Sequence, residues 1–497
     1  MDFVQNFPFM TIILSLFSGP LSMMLNRKWA KRVNMAVIFL IGLMSAMVFL
    51  YVVNTGESYV YRMGHFSAPW GNEIRVGVLE AMMATFFCIV MFLCMIGGEW
   101  ERTLHIQESK ENLYYIMVNL LLCSLLALIY TNDIFTAYVF VEINTISACG
   151  LIMIRQNGRT LEAATRYMIM SLLGSGLLLL GICFLYDLTG HLLMSNIKAA
   201  VFTVWQEAEY RMPLMVTLGL ISVGLAIKSA LYPFHAWLPD AYGYSTVSSA
   251  AILSSLVSKG YIFLLLKIFY RVIGFTNIND SKVIHVLYVF GVLGMIMGSV
   301  NAIRENNIRR MIAYSSVAQI GYIYMGLGLG TTMGVIASVF QILSHASTKA
   351  LLFVAAAGIT ACSENKTTFS DLTGAGYRNK MAGIAFTVGS LSMIGFPLLS
   401  GFMAKLLFAQ AAVGHQYKML PTLIALAIST ILNAIYFMKT VIRIYTPNRK
   451  SQGRLIKAGD DPKKTVALVC FILLNLVLGM CSEPILSLIQ NGLGMFA

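Results

Sequence analysis

Residues 224–242 read GLAIKSALYPFHAWLPDAY. Lys228 stands inside an apolar run rather than at its edge, and Pro233 follows it. Proline removes a backbone donor and frees a carbonyl upstream. Inside a membrane such freed groups are tolerated only where protein or water satisfies them. A lysine beside a helix break within an apolar span therefore points to a transport route.

Working outward, the chain has 497 residues, 58% hydrophobic and 11% charged, where a soluble domain carries about 25% charged residues. Apolar runs longer than about 18 residues read as membrane helices. They recur as 14 spans at roughly 7–25, 33–53, 76–98, 113–131, 134–154, 165–188, 212–236, 246–270, 283–302, 308–329, 334–360, 382–411, 419–442 and 465–490. The expected fold is an all-α polytopic membrane protein of about 14 transmembrane helices, with helices 7 and 12 broken. The first segment contains Pro8 and Pro20 and runs into Asn26-Arg27-Lys28 without a small-residue cleavage site, so it is read as a retained helix rather than a signal peptide.

The formal charge of +13 is spread over loops between apolar helices, with no basic stripe and interleaved aromatics, so nucleic acid is not an expected partner. Loop Lys and Arg set the orientation instead. With the N-terminus outside, 22 of them fall on cytoplasmic loops and adjoining helix ends, among them Arg27, Lys31, Arg102, Arg155, Arg159, Arg309, Arg310, Arg449, Lys450, Arg454, Lys457 and Lys463. Seven fall outside: Arg62, Arg75, Lys198, Arg211, Arg271, Lys282 and Lys418. This places the chain as a multi-pass protein of the cell (inner) membrane with both termini on the outer side. The eight cysteines sit mostly in apolar segments and form no Cys-x-x-Cys, so no iron–sulfur, zinc or other cofactor site is expected. Any redox chemistry would belong to another subunit.

Of the remaining lysines, Lys267 and Lys439 lie near helix ends, where they are expected to snorkel to the interface. Four others do not have that option. Lys228 lies in the seventh span, Lys259 halfway through the eighth (AAILSSLVSKGYIFLLLKIF), Lys349 in the eleventh (QILSHASTKALLFVAAA) and Lys405 in the twelfth (GFPLLSGFMAKLLFAQ). Glu142 lies near the centre of the fifth, in TAYVFVEINTISACG. Each such charge costs about 2.5–3.5 kcal/mol at a helix centre. One glutamate does not pair with four lysines, so the set reads as functional rather than as fixed ion pairs. Burial disfavours the ammonium form and a nearby carboxylate restores it, so a Glu–Lys pair at this depth is an electrostatic gate for proton transfer. His345 precedes Lys349 by four residues and shares its helix face, which suits a relay. His235, after Pro233, is read as a packing residue. Gly395, Pro397 and Gly401 precede Lys405 as Pro233 follows Lys228. Paired broken helices in two halves of a chain mark transport sites built on inverted repeats. Ser229, Ser254, Ser258, Tyr314 and Ser344 are candidates to carry water chains.

Over residues 75–445 the chain resembles the antiporter-like subunits shared by respiratory complex I, the multisubunit Mrp Na⁺/H⁺ antiporters and membrane-bound hydrogenases. The resemblance rests on FVEINT, on the Lys228–Ala241 block, on Ser258-Lys259-Gly260-Tyr261, on RRMIAYSSVAQIGYI, on HASTKALLF and on GFPLLSGFMAKLLF. It implies a 14-helix core holding two inverted five-helix repeats. The chain would then divide into three N-terminal helices (1–110), helices 4–8 (111–275), helices 9–13 (276–445) and a C-terminal loop with helix 14 (446–497). It further implies that Glu142 is the fifth-helix glutamate, Lys228 its seventh-helix partner, and Lys259 the eighth-helix lysine linking the half-channels. His345 and Lys349 fall at the eleventh-helix polar positions and Lys405 at the exit to the outside. The last block looks most like the D-type Mrp subunit. Because the sequence ends soon after the fourteenth span, the distal complex I subunit with its lateral helix and the A-type Mrp subunit with its large extension are not the expected identities.

The expected function is translocation of protons, or Na⁺ and protons, along this mid-membrane row in concert with other membrane subunits, with no catalytic or metal-ligating residue assigned. Two other readings stay open. A structural subunit seating a redox module would pump unchanged without the buried charges. A self-sufficient transporter of a small solute would need a roomy central pocket.

Overall fold

The computed structural model describes residues 3–66, 71–447 and 461–496. Arg449, Lys450, Arg454 and Lys457, counted above toward the orientation, lie outside the described residues. The long helices are α1 (Phe7–Met24), α2 (Arg27–Thr55), α3 (Val78–Gly97), α4 (Glu111–Tyr130), α5 (Ile134–Met153), α6 (Gly158–Thr189), α7 (Ala208–Lys228) and α8 (Val247–Ile273). They continue as α9 (Val283–Arg304), α10 (Ile308–Gly328), α11 (Thr332–Ala361), α12 (Lys380–Ile394), α13 (Ser400–Val413), α14 (Met419–Tyr445), α15 (Pro462–Met480) and α16 (Ser482–Gly494). Among the described residues, twelve helices are long and apolar enough to cross a membrane. Two expected spans differ from that type. The tenth is α10, equally long but carrying two Arg, two Ser, three Tyr and one Gln, and the twelfth is the pair α12 and α13, each short.

Burial sorts the helices. Every residue in the apolar windows of α8 and α11 is buried, against 28% for α2. A helix apolar all round belongs in a protein interior, so α8 and α11 are the central pillars, while α2, α6 and α14 turn Leu, Ile and Phe side chains outward. Helices pack closely in lipid through small residues. A Cβ on Gly291 of α9 would fall 2.4 Å from the Met325 backbone nitrogen of α10, and one on Gly224 of α7 would fall 2.7 Å from the Gly174 carbonyl of α6.

Several boundaries correct the sequence reading. The narrow gap between the fourth and fifth spans is real, because Asp133 caps α5 by accepting from Thr136 N at 2.6 Å. The seventh span ends at Lys228 rather than near 236. Ala230 takes a left-handed φ of +62°, so the helix stops before Pro233, and an irregular segment leads to a short helix, Leu238–Tyr244. The last span divides at Cys481 into α15 and α16. An antiparallel hairpin, Tyr59–Arg62 against Glu73–Val76, adds a strand pair to the expected all-α fold.

Lys267 is the clearest correction. It does not snorkel. It is fully buried and donates to the carbonyls of Leu128 (3.2 Å), Ile129 (2.9 Å) and Thr131, capping the C-terminal end of α4. That end carries unsatisfied carbonyls and a partial negative charge, which suits a cation. Lys439, by contrast, is exposed on α14. Arg271 and Arg309, assigned above to loops and helix ends, are both buried, Arg271 in an ion pair with Glu80.

Candidate functional site

Glu142 and Thr145 lie one turn apart on α5 and share a face. Lys228, the last residue of α7, reaches that face. Its Nζ donates to Thr145 Oγ1 at 2.6 Å and stands 3.9 Å from Glu142 Oε1, beyond hydrogen-bond distance. Glu142 Oε1 has no hydrogen-bond partner, and a quarter of the Glu142 side chain is exposed. The pair is therefore a held approach rather than a closed salt bridge, with a threonine hydroxyl taking the ammonium. Gly174 makes room for it, since a Cβ there would lie 3.1 Å from Lys228 Cγ. Tyr261 completes the wall, its ring 5.8 Å from Nζ and its hydroxyl donating to Asn144 at 2.9 Å.

Lys259 follows a π-helical turn, Leu253–Val257, in the middle of α8. Its Nζ donates to the Ser254 carbonyl within that turn. The Tyr242 hydroxyl hangs from the adjacent carbonyl, Leu253 O, at 3.2 Å and pairs with Ser258 Oγ at 3.2 Å. Such π turns expose backbone groups and recur at functional sites. His345 and Lys349 share one face of α11, which packs against the π turn that precedes Lys259. Lys349 Nζ donates to the Ile312 carbonyl at 2.9 Å and to Ser315 Oγ. His345 is almost wholly buried, and neither ring nitrogen has a hydrogen-bond partner.

Lys405 lies on α13 just beyond the break. The helix stops at Ile394 because Gly395 adopts φ +96°, and Pro397 sits exposed in the connecting loop. Lys405 Nζ donates to the Ile394 carbonyl at 2.6 Å, an end carbonyl of α12, and to Thr430 Oγ1 at 3.0 Å. A Cβ on Gly395 would fall 3.0 Å from Lys405 Cδ, and one on Gly401 would fall 1.8 Å from the Ser392 carbonyl. The two glycines thus let the half-helices and the lysine close on each other. A cavity of about 10 Å³ joins His345 and Lys405 between Gln319, Gln341, Ser344 and Ser392. That is room for about one water molecule.

A larger cavity of about 460 Å³ opens on the face assigned to the cytoplasm. Glu101, His105, Arg155, Arg159, Tyr244 and Arg309 line it, with Ala357 and Thr360 of α11. Arg309 reaches the carbonyls of Tyr242 and Ser245, tying this mouth to the segment after the α7 break.

The structure thus brings Lys259, His345 and Lys349 together at the two central pillars, with Glu142 and Lys228 on one flank and Lys405 on the other. Among the described residues, Glu142 is the sole carboxylate within 4.0 Å of any of the four lysines. Pro233 lies outside the regular helix, and His235 stacks on Tyr232 at 5.2 Å, consistent with packing. Sequence reasoning missed Thr145, Thr430, Tyr242, Ser392, Ser400 and Asn475. Asn475 alone carried a signal, as a lone amide in the apolar run of α15.

The transmembrane family described as NADH:quinone oxidoreductase/Mrp antiporter matches residues 131–432. The chain belongs to that family. The matched region of this NADH:quinone oxidoreductase/Mrp antiporter member contains Glu142, Lys228, Lys259, His345, Lys349 and Lys405 and excludes α15. It is 30% identical over 404 residues to the N-type subunit of the NADH-quinone oxidoreductase of Desulforudis audaxviator, covering 80% of this chain and 77% of that relative. It is 26% identical over 449 residues to the D-type subunit of the Na⁺/H⁺ antiporter of Alkalihalophilus pseudofirmus, covering 90% and 88%. A chain of the membrane-bound sulfane sulfur reductase, an archaeal respiratory membrane complex, superposes with a TM-score of 0.86 at 26% identity over 99% of this chain and 97% of its own. A chain of the Mrp complex from Dietzia sp. superposes at 0.87 with 22% identity over the same shares. The fold is that of a polytopic antiporter-like membrane subunit, and the similarity takes in the N-type as well as the D-type subunit.

Proposed function

We propose that this chain is a proton-translocating subunit of a multisubunit membrane complex in the cell (inner) membrane, with both termini outside. Other membrane subunits are its partners, as in the complexes that hold its structural neighbours. Protons enter from the cytoplasm through the Glu101–Arg309 mouth and reach Lys259 and the His345/Lys349 face. They pass along the lysines and leave past Lys405. Glu142 sets the proton affinity of Lys228 by approaching or withdrawing from its 3.9 Å position, a motion driven from a neighbouring subunit.

One observation carries the reading. Four lysines at membrane depth donate to neutral oxygens, and the one carboxylate near them stands just outside hydrogen-bond distance. A fixed ion-pair scaffold would pair them instead. The two breaks support the division into inverted repeats over 111–275 and 276–445, because each falls in the fourth helix of its half. The solute-transporter reading is disfavoured by the small cavity between His345 and Lys405, which has no room for an organic molecule.

The test is Glu142→Ala, Lys228→Ala and Lys405→Ala in the intact complex, with proton transport and Na⁺ tolerance measured. Loss of transport in each supports the reading. Full transport in all three leaves the structural-subunit reading in its place.

A further inference from the structure

Asn475 lies on α15, beyond the region that carries the family match. It is fully buried, and its Oδ1 faces three hydroxyls from three different helices. Thr348 of α11 donates to it at 2.9 Å, Ser392 of α12 at 2.9 Å and Ser400 of α13 at 2.8 Å. The amide nitrogen is taken by the Phe471 carbonyl one turn back, at 3.3 Å, which fixes the oxygen toward the hydroxyls.

A carbonyl oxygen has two lone pairs. Three hydroxyls compete for them, so at any moment one hydroxyl hydrogen must turn elsewhere. Its alternatives are close, and Thr348 also has the Ser344 carbonyl at 2.7 Å. Ser392 and Ser400 lie 3.3 Å apart, Thr348 and Ser392 3.4 Å apart, and Ser344 donates to Ser400 at 2.8 Å. Ser344 and Ser392 also line the cavity between His345 and Lys405. His345 carries two unpartnered ring nitrogens at that cavity, which is an independent sign that a proton-bearing group belongs there. The hydroxyls held toward Asn475 turn their lone pairs away from it; Ser392 accepts there from Gly401 N at 3.3 Å and Ser400 from Ser344, so each keeps one further lone pair to accept with.

We propose that Asn475 is a positioning residue that sets the hydrogen-bond polarity between His345 and Lys405. At any moment it takes two of the Thr348, Ser392 and Ser400 hydroxyls as donors and leaves the third to turn. They then accept a proton from the His345 side and release one toward Lys405 as the set reorients. Each transfer moves one proton in and one out, and no covalent bond other than O–H or N–H changes. The inference rests on the proton-translocation reading above.

The experiment compares Asn475→Leu, Asn475→Asp and Glu142→Ala in the intact complex in inverted membrane vesicles, with transport normalised to assembled complex across pH. Asn475→Leu removes the shared acceptor at similar volume and is expected to slow proton transport at least tenfold. Asn475→Asp keeps an acceptor and is expected to retain transport, with its pH profile displaced toward alkaline pH because a carboxylate favours protonated neighbours. Wild-type rate and pH profile in Asn475→Leu, with Glu142→Ala inactive, overturn the role of Asn475 and leave the translocation reading intact. Full transport in Glu142→Ala overturns the reading beneath it. An Asn475→Asp variant whose transport is lowered at every pH while the profile keeps its wild-type position also overturns the proposal, because it marks a packing role only.

Discussion

Replacing Glu142 by Gln removes one charge and leaves the shape of the pair almost unchanged. Two unit charges about 4 Å apart attract by about 4 kcal/mol at an effective dielectric constant near 20, and Lys228 Nζ stands 3.9 Å from Glu142 Oε1. The Lys228 ammonium is buried and a quarter of the Glu142 side chain is exposed, so this figure is an upper bound. The Thr145 hydroxyl remains as a partner in the variant, so the ammonium is not left without a hydrogen bond. A transport step that depends on making and releasing this attraction loses up to about 4 kcal/mol of drive. At 1.36 kcal/mol per tenfold, that slows it by on the order of 10²–10³-fold. Glu142→Asp keeps the charge on a shorter stem and is expected to retain partial transport. The assay is the rate of ΔpH formation in inverted vesicles, divided by the amount of assembled complex. A Glu142→Gln rate within twofold of wild type would refute the reasoning, since it would mean that the charge plays no part in the limiting step.

Further outcomes follow from single contacts. Tyr242→Phe deletes only the hydroxyl that pairs with Ser258 beside the Lys259 turn, and it is expected to slow proton uptake from the cytoplasmic side about tenfold without loss of assembly; an unchanged rate excludes Tyr242 from the entry route. Lys267→Met leaves three carbonyls at the end of α4 without their cation and is expected to destabilise the protein by about 2–4 kcal/mol, read as a lowered unfolding temperature in detergent; equal stability would show that the cap is dispensable. Gly291→Leu drives a side chain into the α10 backbone, where even a Cβ has only 2.4 Å, and the expected result is failure of the complex to assemble, detected on native gels.

The membrane class and the row of charges were legible because both depend on local sequence. A lysine inside an apolar run is visible without knowing its neighbours, and Lys228, Lys259, Lys349 and Lys405 all proved to lie within the bundle. The glycines and proline around 395–401 marked the second break correctly, since a left-handed turn such as that at Gly395 is written in residue type. The first break began earlier than Pro233 suggested, because Ala230 carries the left-handed turn and alanine gives no warning of it. Lys267 was misread because position along a helix does not say whether its end faces lipid or the end of another helix. The partners Thr145, Tyr242 and Asn475 were hidden for the same reason. Each acts across 40 or more residues or between separate helices, and one sequence does not display such pairings.

The central claim is that the buried lysines give up and regain protons, and Lys228→Arg tests it most directly. Arginine keeps the positive charge and can reach Glu142, but its guanidinium does not release a proton in a protein. The account predicts a fully assembled complex with proton transport at background level. Transport near the wild-type rate in Lys228→Arg would contradict the account and assign Lys228 to a standing ion pair.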